Sequence, residues 1–155
     1  MSLQFKKVTK YNFSSQKNKM DDNEDEGSEI NELKVIDNTI YLYSKINNEL
    51  ALNLNTNIKI LEKKLLIFSI TFNIPPPYII IRINSEGGDI YAALSIVDTI
   101  KNCKVPIHTI IEGCAASAAT IISTVAKKRS IMENAHMLIH QMTSGFWGKY
   151  TEFKD

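Results

Sequence analysis

Cysteine is scarce in this sequence, with only Cys103 and Cys114 among 155 residues. Two cysteines are too few for the disulfide framework of a small secreted domain, which favours a reducing compartment. The chain also has no apolar run long enough to span a bilayer, and its N-terminus lacks the apolar core of a secretory signal. We therefore expect a cytoplasmic protein, with an organelle as the alternative location, and no membrane partner.

An excess of charge of one sign is missing as well. The formal net charge of +1 gives no long-range field that would attract nucleic acid, so we expect no nucleic-acid partner. The metal-binding spacings HExxH and CxxC do not occur, and we predict neither a metal nor a cofactor. With 44% apolar and 23% charged residues, the composition is typical of a globular protein with one core.

The first 32 residues differ from the rest of the chain. They are rich in Lys, Asn, Ser, Asp and Glu, contain the acidic run DDNEDE at 21–26 and show no sustained apolar periodicity. A segment of this composition cannot bury enough apolar area to offset the entropy of ordering. We predict a disordered polar N-terminal tail over residues 1–32 and one domain over residues 33–155.

Strands and helices alternate in the predicted domain. The run LKVIDNTIYLYS holds two short β-rich segments around the turn Asp37-Asn38, which predicts a hairpin or two consecutive strands. Apolar residues spaced by three and four predict two helices, one from Asn47 to about Phe72 and one that begins near Ile90 and ends before Pro106. This alternation predicts an α/β domain with a mostly parallel sheet. The other predicted elements are a buried helix at Ala115–Ala126 and strands at Tyr78–Asn84, Ile107–Ile111, Ser130–Met132 and Met137–His140.

Three segments with chemically useful residues each follow or end a predicted strand, at the edge where open α/β sheets bind ligands. The first is the pair Gly87-Gly88. Glycines let backbone amides approach a ligand closely and adopt positive φ. Taken alone, the pair is more typical of a tight strand-to-helix turn.

The second segment is GCAASAA at 113–119, where Ser117 would lie in the first turn of a helix. Unpaired amides and the helix dipole there favour developing negative charge, so Ser117 is a candidate nucleophile. A serine at this place also fits a simple helix cap. Cys114 is a competing nucleophile, but it precedes the helix and is better explained as a small buried apolar side chain.

The third segment is the strand HMLIH at 136–140. A base for a serine nucleophile must titrate near neutrality and reach the hydroxyl, which a histidine can do. Side-chain alternation places His136 and His140 on the same face, so the pattern alone does not choose between them. A histidine at a strand end is also often structural, and His108, inside another strand, is expected to be so.

Taken together, these segments resemble the proteolytic subunit of the Clp protease. In that family the patterns YINSPGG, GxAAS and MIHQP occur in this order, with gaps similar to those of this chain. The resemblance implies the spiral α/β fold of ββα units that this family shares with the crotonases. It covers the chain from about residue 40 onwards, on the segments IYLYSKI (40–46), IRINSEGGDIYAALSIVDTI (81–100), EGCAASAAT (112–120) and AKKRSIMENAHMLIHQ (126–141).

The resemblance also implies roles for individual residues. Ser117 matches the family nucleophile, His140 rather than His136 matches the general base, and the backbone amides of Gly88 and Ala118 match the oxyanion hole. The implied activity is that of an ATP-dependent serine endopeptidase, which cleaves unfolded polypeptides by acyl transfer to the serine. Family members form heptameric rings that stack into tetradecamers and receive substrate from a AAA+ Clp ATPase, so these partners are implied here.

The chain departs from the family pattern in several places. Glu86 and Met142 replace family prolines, and the segment between Ser117 and His140 is slightly shorter. The family's triad aspartate follows the histidine at a long distance, beyond a helix that joins the two rings, and neither feature occurs by Asp155. We therefore expect a family member truncated at its C-terminus, in which the triad acid is not assigned.

Two other functions remain open at this point. A catalytically incompetent ring subunit with a structural role agrees with the missing acid, but it does not explain the retained serine and histidine. A crotonase-like hydratase would use similar oxyanion amides on an acyl-CoA thioester and would need neither Ser117 nor His140. Among closer relatives, signal-peptide-degrading peptidases use a Ser/Lys pair, whereas the segment IHQ at 139–141 favours the Clp type.

Overall fold

The computed structural model describes residues 33–141, so the predicted tail and the departure at Met142 lie outside the described residues. The described part alternates strands and helices, as predicted. Its elements are β1 (Lys34–Ile36), β2 (Thr39–Leu42), α1 (Asn48–Phe72), β3 (Ile79–Ser85), α2 (Ile90–Asn102), β4 (Ile107–Ala116), α3 (Ala118–Thr124), β5 (Lys128–Ile131) and β6 (His136–Leu138).

The strands form one sheet with the order β1-β2-β3-β4-β5. The β1–β2 pair is antiparallel around the predicted turn, where Asp37 has φ 54°. All other pairs in the described sheet are parallel, which confirms the predicted α/β class. Both β5 and β6 pair with β4, β5 along its first half and β6 along residues 114–116. The end of β4 therefore has β6 as its neighbour.

Polar side chains cap the first two helices at their N-termini. Asn47 accepts a hydrogen bond from the amide of Leu50 at 2.8 Å, and Asp89 accepts one from the amide of Ala92 at 2.7 Å. Such caps satisfy amides that have no partner inside the helix. The cap at Asp89 starts α2 directly after Gly88, so the Gly87-Gly88 pair lies in a short, tightly connected loop between β3 and α2.

The core lies between the helices and one face of the sheet. On β3, Ile79, Ile81 and Ile83 point into it and are fully buried, and the next residue on the same face, Ser85, is 3% exposed. Alternation of side chains along a strand produces this pattern. The core-facing residue at the end of β3 is thus polar, next to the glycine loop.

A bulge between β3 and β4 determines where β4 ends. Ile83 pairs with Ile111, but the next pair is Ser85 with Ala115, so Asn84 alone faces three residues of β4. A bulge leaves backbone groups of the longer strand without ladder partners. Here the side chain of Asn84 accepts a hydrogen bond from the amide of Cys114 at 3.0 Å. The bulge extends β4 to Ala116, immediately before Ser117.

Candidate active site

Ser117 occupies the turn that joins β4 to α3. It is the residue before the first helical residue, not a member of the first turn as predicted, and the helix expected over Ala115–Ala126 is confined to Ala118–Thr124. Its backbone has φ 51° and ψ −122°, a conformation that L-residues other than glycine rarely adopt. Strained serines on sharp strand-to-helix turns are known from hydrolases, where the turn exposes the hydroxyl.

The hydroxyl of Ser117 is not used to cap the helix. No capping hydrogen bond forms from its side chain, so the interpretation of Ser117 as a simple cap is wrong. Its carbonyl oxygen instead accepts hydrogen bonds from the amide of Thr120 at 3.0 Å and from the hydroxyl of Thr120 at 2.5 Å. The backbone of Ser117 is held firmly while its side chain stays uncommitted, which suits a nucleophile.

Gly87 packs directly against the Ser117 turn. A Cβ at position 87 would lie 2.5 Å from the carbonyl oxygen of Ala116, 2.9 Å from Cβ of Ser117 and 3.0 Å from the amide nitrogen of Ala118. The φ angles of Gly87 and Gly88 are 96° and 146°, which also favour glycine. The loop after β3 and the turn after β4 therefore meet at the edge of the sheet, as the sequence predicted.

Two backbone amides near Ser117 have no acceptor among residues 33–141. Gly88 forms a parallel bridge with Ile46, in which the amide of Ile46 donates to Gly87 at 2.8 Å and the amide of Asp89 donates to Ile46 at 2.9 Å. In such a bridge the amide of the central residue, Gly88, points away from the partner strand. Ala118 is the first residue of α3, where an amide has no intrahelical acceptor. These are the two predicted oxyanion donors.

His140 follows β6 at the same edge of the sheet. Ala116 and Leu138 are register partners, and the amide of Ser117 donates to the carbonyl oxygen of Leu138 at 2.9 Å. The strand expected to reach His140 ends at Leu138. His140 therefore lies two residues beyond the strand that pairs with the end of β4, on an exposed stretch of chain.

The ring of His140 has one nitrogen engaged. Its Nδ1 lies 2.8 Å from the carbonyl oxygen of Gln141. A carbonyl can only accept, so Nδ1 donates in this contact, and in the neutral ring Nε2 is then the acceptor. This is the tautomer that a general base requires. Within the described residues no hydrogen bond joins the ring of His140 to the hydroxyl of Ser117, and their predicted pairing stays a prediction.

The alternative candidates for base and nucleophile, two histidines and a cysteine, lie in environments that differ from the Ser117 turn. His136 pairs in register with Cys114, three residues before Ser117, and is exposed. His108 lies inside β4 with its Nε2 2.9 Å from the hydroxyl of Ser130, which agrees with a structural role. Cys114 is half-buried within β4, less enclosed than expected. None of these three side chains lies at the turn between β4 and α3.

Metal ligation and membrane insertion find no support in the part of the chain that the structure describes. Over residues 33–141, no three His, Cys, Asp or Glu side chains are grouped so that they could bind a metal ion. No helix in this range has the length and hydropathy needed to cross a membrane.

Comparison with known proteins identifies the family. A family model described as Clp protease matches residues 23–155. The chain belongs to the Clp protease family. Among curated relatives, the ATP-dependent Clp protease proteolytic subunit 2 of Treponema denticola is 42% identical over 117 residues, which cover 74% of this chain and 54% of that protein. The proteolytic subunit of Streptococcus mutans is 49% identical over 72 residues, 45% of this chain and 37% of its own length.

Solved structures agree with this assignment. ClpP1 from Listeria monocytogenes superposes with a TM-score of 0.61 at 30% identity, over 74% of this chain and 62% of that chain. A point mutant of the same protein gives a TM-score of 0.60 over 69% and 58% of the two chains. The ClpP-type fold is thereby confirmed. The chain spans about half, or less, of the length of the curated relatives it matches.

Sequence reasoning missed three contributors to this candidate site. Asn84 stabilises the bulge in β4, Ile46 forms the bridge to Gly88, and the hydroxyl of Ser85 binds the glycine loop. The only available signal was the polar pair Asn84-Ser85 at the end of an otherwise apolar strand. Ile46 carried no signal, because a bridge between backbones depends on position rather than on residue type.

Proposed function

We propose that the complete protein is the proteolytic subunit of an ATP-dependent Clp protease, a serine endopeptidase that cleaves unfolded polypeptides. Family membership supports the reaction class. The observation that carries the assignment to this site is the conformation of Ser117, which combines positive φ with a hydroxyl that caps nothing. Backbone strain of about 1–3 kcal/mol persists only where the surrounding structure imposes it, and it concentrates at functional sites.

The proposed reaction follows from the groups at this edge. The hydroxyl oxygen of Ser117 attacks the carbonyl carbon of the peptide bond while Nε2 of His140 accepts its proton. The amides of Gly88 and Ala118 donate hydrogen bonds to the oxyanion, and the loss of one such donor typically costs about 3 kcal/mol of transition-state stabilisation. The protonated His140 then gives its proton to the leaving amine. Water releases the acyl group by the reverse sequence of proton transfers.

The proposed partners come from the family. The curated relatives are named as proteolytic subunits of an ATP-dependent Clp protease. We propose that the complete protein forms heptameric rings, paired into a tetradecamer, that it receives unfolded polypeptides from a AAA+ Clp ATPase, and that it works in the cytoplasm. An acid that would hold His140 by its Nδ1 is not assigned among residues 33–141.

A fluorophosphonate probe, which modifies activated serines, tests the nucleophile. We expect the complete wild-type protein to be labelled and Ser117→Ala to be unlabelled. Cys114→Ala is the matched control, because Cys114 is the competing nucleophile on the same strand, and it should be labelled like the wild type. Labelling that persists in Ser117→Ala excludes this nucleophile, and an unlabelled wild type favours a non-catalytic ring subunit.

The base is tested by the two histidines of the same segment. Replacing the base of a serine peptidase lowers turnover by several orders of magnitude. We expect His140→Gln to reduce the rate of peptide hydrolysis at least about a thousandfold, and His136→Gln to change it little. The reverse result would move the base to His136. Equal effects of the two substitutions would remove His140 from the mechanism.

A further inference from the structure

Ser85 is a polar residue in the core of the sheet. It ends β3 on the core-facing side, in the alternation of Ile79, Ile81 and Ile83, and is 3% exposed. A hydroxyl in this environment destabilises the fold unless it is hydrogen-bonded. The two partners that it has in the structure show what it holds together.

The hydroxyl of Ser85 connects two separate segments. It donates to the carbonyl oxygen of Ser44 at 2.8 Å, in the connection between β2 and α1. It accepts from the amide of Gly87 at 3.1 Å, in the glycine loop. The Ser85 side chain thus connects the glycine loop to the segment between β2 and α1. That segment does not contact substrate in the proposed mechanism.

The bridge at Ile46 holds the same two segments together. Ile46 binds Gly87 and Asp89 on either side of Gly88, and a Cβ on Gly88 would lie 2.2 Å from the carbonyl oxygen of Ile46. The Ser85 hydroxyl is the one side-chain contact, among residues 33–141, that fixes the amide of Gly87. The peptide plane that follows, between Gly87 and Gly88, carries the proposed oxyanion amide.

We infer that Ser85 is a positioning residue for the oxyanion hole: its hydroxyl fixes Gly87 so that the amide of Gly88 faces the position of the developing oxyanion beside Ser117. This inference rests on the proposed peptidase function. Both residues of the loop are glycines with positive φ and little intrinsic preference for one orientation, so the loop depends on two anchors: the Ser85 hydroxyl on the amide of Gly87 and the Ile46 amide on its carbonyl oxygen. Oxyanion stabilisation depends on donors that are oriented before the reaction.

The substitution Ser85→Ala removes the tether and leaves the buried amide of Gly87 without an acceptor. The carbonyl oxygen of Gly87 is still bound by the amide of Ile46, so the peptide plane that carries the Gly88 amide keeps one anchor and becomes less precisely oriented. Loss of a whole oxyanion donor lowers kcat by about 100- to 1,000-fold, and with the Ile46 anchor retained we expect Ser85→Ala to lower kcat by about 3- to 10-fold. KM should change little, because the tether acts on a charge that exists only in the transition state.

Ser123→Ala is the matched control. Ser123 is also 3% exposed, and its hydroxyl donates to the carbonyl oxygen of Thr120 at 2.7 Å, so the substitution removes a comparable buried hydrogen bond within α3. The complete protein would be assayed with a peptide substrate, with active sites counted by fluorophosphonate labelling. Per active site, Ser85→Ala should lose kcat and should bind a peptide boronate more weakly by a similar factor, whereas Ser123→Ala should retain both within about twofold.

Three results would overturn the inference while leaving the proposed function intact: a wild-type kcat per site in Ser85→Ala, an effect on KM alone, or an equal loss in Ser123→Ala. Failure of the proposed function looks different, since hydrolysis by the wild type would then be absent or would survive Ser117→Ala. If Ser85→Ala does not fold, site-resolved hydrogen exchange on the wild type decides. The amide of Gly87 must exchange far more slowly than an exposed amide, and rapid exchange refutes the tether.

Discussion

The amide of Ser117 donates a hydrogen bond of 2.9 Å to the carbonyl oxygen of Leu138. This contact joins the turn that carries the proposed nucleophile to the strand that leads to the proposed base. Because Ala116 and Leu138 are also register partners, the sheet itself fixes the two chain segments relative to each other. The relative position of the Ser117 turn and the segment that leads to His140 is therefore a property of backbone pairing.

Substitution of Ser117 should separate stability from activity. Ser117 has φ 51° and ψ −122°, so Ser117→Gly relieves about 1–3 kcal/mol of backbone strain in the folded state. Glycine also raises the conformational entropy of the unfolded chain, which lowers the stability by about 0.4–1 kcal/mol. We expect Ser117→Gly to raise the free energy of unfolding by about 1 kcal/mol while it abolishes labelling. Ser117→Ala keeps the strain and should show no such gain. Urea denaturation of the three proteins checks this, and equal stability of the two variants would show that the turn is unstrained.

Two glycines near the site should differ in their tolerance of a methyl group. In Gly87→Ala the new Cβ meets backbone atoms of the Ser117 turn, 2.5 Å from the carbonyl oxygen of Ala116, at a φ of 96°. We expect a loss of about 2–3 kcal/mol, measured by urea denaturation, together with a loss of probe labelling.

Gly113→Ala is the comparison for that substitution. Its Cβ would lie 2.5 Å from Oδ1 of Asn84, the end of an exposed side chain that can move away. The cost is then mainly the hydrogen bond between Asn84 and the amide of Cys114, about 1 kcal/mol. A Gly113 variant that is as unstable as the Gly87 variant would contradict the expectation that a fixed backbone neighbour makes Gly87 the less tolerant position.

The stability of the fold should fall as the pH drops below about 6.5, the ordinary pKa of histidine. Burial, and then the charges of Lys128 and Arg82, lower the pKa of His108. The unfolded chain therefore binds more protons than the folded one near this pH, so the free energy of unfolding rises with pH across this range. We expect His108→Gln to flatten the dependence between pH 8 and about 5.5, measured by urea denaturation.

Glu62→Gln is the control for the pH range between 8 and about 5.5. Burial raises the pKa of Glu62, but hydrogen bonds from the amide of Lys104 and from Lys59 outweigh it, so the pKa is lowered from 4.5. The stability that this carboxylate contributes is present above pH 4.5 and is lost as the pH falls further. Between pH 8 and 5.5 the Glu62 variant should keep the wild-type slope, and a flattened slope there would exclude His108 as its cause.

The sequence predicted the elements whose signals are local. The turn at Asp37-Asn38 joins two strands as a hairpin, one of the two predicted arrangements, and α1, which depends on apolar spacing, begins one residue after its predicted start and ends at Phe72 as predicted. Apolar spacing alone would also place Leu94 with Val97 on the buried face of α2, whereas Leu94 is 43% exposed and Ile96 is buried. Helical spacing identifies an apolar stripe along the helix, but which residues at the margin of this stripe are buried depends on the surface that packs against it.

The site was predicted less well where distant pairing decides the structure. The small residues Ala115 and Ala116 favour a helix locally, yet pairing with Ser85 and with Met137 and Leu138 keeps them in β4. β6 stops at Leu138 for the same reason, because its partner strand ends at Ala116. The strained backbone of Ser117 follows from this abrupt change between strand and helix, and no residue in the sequence signals it.

The bulge opposite Asn84 has a consequence for any change in chain length near the site. Between the pairs Ile83–Ile111 and Ser85–Ala115, β4 has two residues more than β3. Side chains alternate between the two faces of a strand. Two extra residues therefore lengthen β4 without changing which face the following side chains occupy. Deleting a single residue from 112–114 would turn the following methyl groups away from the core and present the serine to the wrong side of the sheet. Deleting two residues would keep the following side chains on their present faces, but it would shift Ser117 back along the strand direction by about 6–7 Å, the length of one two-residue repeat.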